Sequence, residues 1–161
     1  MHVVLANRQR TRKVDLRLWK RITAALLTDM KVEDAGLGIH LVAAPEIIRL
    51  NEKFLGHQGT TDVITFDYAE FRRRTSDVRR RLHGEIFICM DEAVWQARKF
   101  RTSWQSEIVR YLAHGVLHLI GYDDAHAGER REMKRAENRL LRQISRRFSL
   151  AQLARRAKLC A

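Results

Sequence analysis

The chain has 161 residues and a formal net charge of +12, from 31 lysines and arginines against 19 acidic residues. That length specifies one domain with enough chain to bury a core, and a hydrophobic share of 45% with a single proline excludes linker-like composition. No apolar run approaches the roughly 20 residues of a membrane span, Val3-Val4-Leu5-Ala6 is too short for a signal-peptide core, and Cys89 with Cys160 makes no disulfide framework. The expectation is a cytoplasmic protein that makes no use of a membrane. Positive charge on this scale draws polyanions through counterion release, the plainer alternative being a basic surface that serves solubility alone.

His2–Ala6 is short and β-prone and predicts a first strand. The basic stretch Arg8-Gln9-Arg10-Thr11-Arg12-Lys13 reads as a solvated connector. Asp15 is placed to cap a helix whose apolar stripe is Leu16, Trp19, Ile22, Leu26 and Leu27. Leu37–Val42 predicts a second strand. Pro45 then suits the first turn of a helix running to about Phe54, with Ile47, Ile48 and Leu50 inward. Gly56–Thr60 is loop-like, and Thr61–Phe66 follows as a strand burying Val63, Ile64 and Phe66. The stretch from Phe71 to Arg81 carries six arginines against one aspartate, which no packed core absorbs. Its guanidinium groups (Arg72, Arg73, Arg74, Arg79, Arg80 and Arg81) suit phosphate recognition.

Gly84–Met90 is a near-continuous apolar run, as expected of a strand inside a sheet. Asp91 is placed to cap a helix holding Ala93, Val94, Ala97 and Phe100, and Ser103 to cap the next. In that next helix Ile108, Leu112, Val116, Leu119 and Ile120 recur at helical spacing, which buries most of it. His114 and His118, four apart, project from one face. Gly121 follows where a left-handed cap is easiest, and the turn beyond brings Asp123, Asp124 and His126 toward the histidines. Two imidazoles from a helix and one further donor from such a turn can hold zinc and leave a position open, the pattern of a catalytic metal site. Gly115 stands where His-Glu-x-x-His proteases carry their general base, which argues against a peptidase. Glu129 to Arg147 is a charged helix with an inner stripe of Met133, Ala136, Leu140, Leu141 and Ile144. The tail from Phe148 is weakly amphipathic around Leu150, Leu153 and Leu159.

The run His114-Gly115-Val116-Leu117-His118-Leu119-Ile120-Gly121-Tyr122-Asp123 resembles the signature of the YbeY family of endoribonucleases, the bacterial rRNA maturation factors. Two further stretches are similar: Leu50-Asn51 through Thr61–Phe66, and Gly84–Cys89. The resemblance implies a single α/β (α+β) domain over residues 1–161, with a central sheet of about four strands packed by helices. The tail 148–161 is left open as peripheral. It also implies a single-strand-specific, metal-dependent endoribonuclease acting in 16S rRNA 3′-end maturation and ribosome quality control. Its partners would be ribosomal RNA precursor and small-subunit proteins, and its cofactor one Zn2+.

Two departures from the family pattern matter. Its third histidine aligns with Asp124, so the ligand set becomes His114, His118 and Asp124, with His126 as the alternative third ligand or a degraded site as the last option. Zinc accepts a carboxylate oxygen readily. One aspartate cancels a unit of the metal's charge, which predicts activity rising toward more alkaline pH than in an all-histidine counterpart. The family's loop arginine is replaced in Leu55-Gly56-His57-Gln58, leaving His57 as a titratable group there. On the resemblance, His114 and His118 carry catalysis by holding the ion while arginines stabilise charge on phosphate. The rival readings are a zinc-containing RNA-binding assembly factor that does not cut, and a metallohydrolase with another substrate.

Overall fold

A computed structural model of the chain describes residues 1–68 and 81–155. The strands are β1 (His2–Asn7), β2 (Asp34–Val42), β3 (Val63–Asp67) and β4 (Arg81–Cys89). They form one mixed sheet in the order β1-β2-β4-β3. β2 pairs in parallel with β1 and β4, and β3 runs antiparallel to β4 with Thr65 opposite Ile86. β4 therefore has a neighbour on each side, as its apolar run predicts.

Side-chain alternation along β4 sorts the core into two layers. Ile86 and Ile88 join the large cluster that contains Trp19, Ile22, Leu112, Val116 and Leu140, whereas Phe87 and Cys89 join a smaller one with Ile47 and Ile64. Helices α1 (Leu16–Asp29), α4 (Trp104–Ile120) and α5 (Ala127–Arg147) cover the first face; α2 (Ala44–Leu50), continued by a π-helical turn over Asn51–Leu55, packs on the second. α3 (Met90–Phe100) joins β4 to α4, and a 3-10 turn follows at Leu150–Leu153. Each fully buried leucine or isoleucine of these stripes contributes about 1.5–3 kcal/mol of transfer free energy.

The local signals that close within one turn hold. Asp15 caps α1 by accepting from the N–H groups of Arg17 and Leu18, and Ser103 caps α4 by accepting from Ser106. Gly121 ends α4 at φ 114°, where an L side chain would be strained.

Other expectations are corrected. Asp91 does not cap α3, whose N-cap residue is Cys89; its carboxylate instead accepts from Thr11 Oγ1 and from Ala44 N at the start of α2, at 2.6 Å each. Leu16 and Phe100 are exposed, and Leu18 is buried in place of Leu16. The tail forms the 3-10 turn with Leu153 buried, where an amphipathic helix was expected; Leu159 and Cys160 lie outside the described residues. Cys89 is a buried free thiol. Among the described residues, no helix is long and apolar enough to cross a membrane.

Candidate metal centre

α4 lies across the sheet with Gly115 against Ile86, where an added Cβ would come within 2.8 Å of that side chain. With Gly115 against the sheet, His114 just before it and His118 three residues after it lie toward the β3 edge. Both imidazoles are half-buried, and their rings meet edge to face at 4.5 Å. The same contact explains the missing glutamate of the protease motif, because position 115 faces the sheet.

Each imidazole is held by its Nδ1. His114 Nδ1 bonds Glu137 Oε1 at 2.5 Å, and His118 Nδ1 lies 3.2 Å from the Tyr122 carbonyl. A carbonyl oxygen only accepts, so His118 carries its proton on Nδ1 and presents a bare Nε2. The two Nε2 atoms are 3.0 Å apart, and Asp124 Oδ2 lies 3.9 Å and 3.7 Å from them. Among the described residues, His114, His118 and Asp124 are the group of His, Cys, Asp or Glu that could hold a metal ion, all three ligand atoms lying within 4.8 Å of one another. Metal–ligand bonds of about 2.0–2.2 Å in a tetrahedron set donors roughly 3.3 Å apart. The donors present thus fit a divalent ion with little movement.

The bend after Gly121 explains which acid joins this donor group. Asp123 accepts from the backbone N–H groups of Asp124 and Ala125, so it builds the turn. Arg130 Nη1 donates to the carbonyls of Asp124 and Ala125 and pins the turn from α5. His126 is the exposed residue preceding α5, its carbonyl accepting from Arg130 N, and it stands outside the donor group.

Glu137 is a site residue that sequence reading passed over. It is only 5% exposed and also lies near Arg110 at 3.6 Å and Lys134 at 3.8 Å. Burial draws the His114 imidazolium down, but the Glu137 hydrogen bond and charge, with Asp62 and Asp124, outweigh it and leave the group above its ordinary range. Burial pushes Glu137 up, while His114, Lys134 and Arg110 more than offset this and hold it below the usual carboxylate range. The available signal was periodicity: Glu137 falls four residues after Met133 and three before Leu140, a carboxylate on a buried stripe.

Two cavities meet at His114. One of about 250 Å³ is lined by Asp62, Arg110, Tyr111, His114, Arg130 and Lys134 among others. The other, about 260 Å³, is lined by His114, His118, Leu55 and the β3 residues Val63, Thr65 and Asp67. Leu55, where the resemblance leads to the expectation of an arginine, therefore borders the candidate metal site. His57 is exposed in the following loop. Of the predicted phosphate-binding arginines, Arg81 opens β4 and is exposed, while Arg72, Arg73, Arg74, Arg79 and Arg80 lie outside the described residues. The cations at the site come instead from α4 and α5. Tyr111 adds a buried hydroxyl with no hydrogen-bond partner among the described residues. Burial, with the Asp62 and Glu107 carboxylates, pushes this phenol far up, so it stays a donor.

Residues 4–145 match the family model described as endoribonuclease YbeY. Proteins named endoribonuclease YbeY from Chlorobium phaeovibrioides and Bacteroides fragilis are 39% and 38% identical, over 58% and 60% of this chain and 58% and 63% of their own length. The chain thus spans about three fifths of these relatives. The protein of that name from Frankia alni is 33% identical over 88% of this chain and 81% of its own. A solution structure of a Thermotoga maritima protein has the same fold, with a TM-score of 0.66 at 23% identity over 99% of each chain.

Proposed function

The chain belongs to the endoribonuclease YbeY family, and on that premise we propose that it is a zinc-dependent, single-strand-specific endoribonuclease acting on ribosomal RNA precursor. The observation that carries this reading is the convergence of His114, His118 and Asp124 at the junction of two cavities, one of them lined by Arg110, Arg130 and Lys134. Maturation of the 16S 3′ end, ribosome quality control, contacts with small-subunit proteins and a cytoplasmic location belong to the same reading.

His114, His118 and Asp124 would hold the ion, which when bound supplies Lewis-acid polarisation of a phosphoryl oxygen. Glu137 and the Tyr122 carbonyl orient the imidazoles so that both Nε2 atoms are available. Arg110, Arg130 and Lys134 compensate phosphate charge, and the Tyr111 hydroxyl donates to a phosphate oxygen. Asp62 lines the same cavity, and in this reading it would accept the proton of the attacking hydroxyl. A cavity of about 250 Å³ is on the scale of one nucleotide, which is compatible with the single-stranded preference in this reading.

Incubation of purified protein with labelled rRNA precursor, with and without chelator, tests the reading, with His114→Ala alongside. Cleavage that chelation abolishes and that the variant lacks is the expected result. One feature favours the rival assembly factor: an apolar Leu55 borders the ion's site, where the resemblance leads to the expectation of an arginine. Salt-sensitive RNA binding without any cleavage selects that rival.

A further inference from the structure

The stretch from Arg8 to Lys13 reads from sequence as a solvated connector, yet the fold ties it down. Gln9 is 5% exposed; its amide donates to Asn7 Oδ1 and to the Arg12 carbonyl, while its Oε1 accepts from Arg12 N. Thr11 donates to Asp91 across the top of the sheet. The C-terminal segment then pairs with the connector: Val14 bridges Ala154, Asp15 N donates to the Leu153 carbonyl, and Arg155 N donates to the Lys13 carbonyl.

On this braced frame sits a groove of about 890 Å³, larger than either cavity at the metal centre. Arg10, Arg12, Lys13, Arg17 and Arg155 line it, and Arg10, Lys13, Arg17 and Arg155 are exposed. Its one acidic lining residue, Asp15, has its carboxylate engaged by the N-terminal N–H groups of α1. Among the described residues, no carboxylate forms an ion pair with any of the five cations. Like charges gathered without counter-charge repel one another, a cost of folding that a bound polyanion reverses.

We propose that this groove is a second RNA-backbone site, which grips the phosphates of a single strand at a distance from the metal centre. The inference rests on the reading of the chain as an RNA-acting protein and adds where the flanking strand is held. The groove sits beyond the end of β1, whereas the imidazoles face β3 at the opposite edge of the sheet. Three strand spacings separate those edges, roughly 15 Å, a span that a few nucleotides of extended strand cover. Four guanidinium groups and one ammonium suit repeating phosphates, and a braced loop spends little ordering entropy on binding them. An anionic bilayer is a poorer match, because the cations line a concavity, and a bilayer presents a broad surface.

The test compares the wild type with the combined variant Arg10→Gln, Lys13→Gln, Arg17→Gln and Arg155→Gln. The control, Arg135→Gln, Arg139→Gln, Arg142→Gln and Arg146→Gln, removes equal charge from the exposed face of α5. Binding of labelled oligouridylate is measured across a salt series, and thermal unfolding verifies that both variants fold. In the groove variant the salt slope should fall by roughly two to three, from about 0.7 per phosphate contact. Its dissociation constant should rise at least tenfold, with a much smaller change in the control. Equal losses in both variants, or no loss in the groove variant, overturn the proposal. So does a groove variant that loses binding to phosphatidylserine vesicles while keeping its RNA affinity. Cleavage of rRNA precursor by the wild type is scored separately: binding through the groove without cleavage sinks the nuclease reading and leaves the groove standing.

Discussion

Replacing Glu137 by glutamine tests whether the buried carboxylate behind His114 sets metal affinity. The amide keeps the shape and can still accept from His114 Nδ1, but it removes a full negative charge from 2.5 Å behind the imidazole. Supporting groups of this kind are worth about tenfold to a hundredfold in affinity. Because the acceptor survives in Glu137→Gln, a loss near tenfold is expected, about 1.4 kcal/mol. Glu137→Leu removes the acceptor as well and leaves the neighbouring Arg110 and Lys134 without that carboxylate, so its loss should approach a hundredfold. Competition against a fluorescent zinc chelator at fixed pH reads both numbers.

A pH series of the chelated protein supplies an independent arm. His114, held above its ordinary 6.5, contributes stability in full below that value and loses it as pH rises through the raised value. Glu137, held below 4.5, contributes in full above that value and loses it as pH falls through the lowered one. The pair's contribution is therefore greatest between 4.5 and 6.5, and Glu137→Gln should flatten it. A zinc dissociation constant within twofold of wild type, with an unchanged stability profile, would refute the reasoning.

Asp124→His restores a neutral third donor, and the pH of half-maximal cleavage should move to lower pH; an unmoved or alkaline-shifted profile counts against a ligating Asp124. Leu55→Arg places a guanidinium on the cavity wall beside His114 and His118, and cleavage at limiting RNA should rise severalfold in a kcat/KM assay. Gly115→Ala drives a methyl group to 2.8 Å from Ile86, so thermal unfolding should show a loss of about 1–3 kcal/mol from overpacking.

What the sequence made legible is what is encoded within a few residues. Asp15, Ser103 and Gly121 act on their own helix ends, and the imidazole pair needs only helical spacing. The apolar run of β4 likewise announces its own burial on both faces. Asp91 defeated the same logic because its partners lie 47 and 80 residues away. Glu137 reaches His114 across 23 residues, and Asp62 joins the cavity from the start of β3. Such residues carry no local mark beyond an acid at an apolar position, so topology had to be known before their roles could be seen. The connector Arg8–Lys13 is the loop expected, but its bracing was not legible, since the segment that pairs with it lies at the other end of the chain.

The two imidazoles are held in unlike ways, by the Tyr122 main-chain oxygen for His118 and by the Glu137 side chain for His114. Every amino acid at position 122 brings a carbonyl, so His118 tolerates any replacement there that leaves the Gly121 bend intact. One base change in the codon for residue 137 can strip His114 of its anchor. Lineages that drift away from metal use should therefore lose the carboxylate on α5 first, while the outward signature on α4 still looks whole.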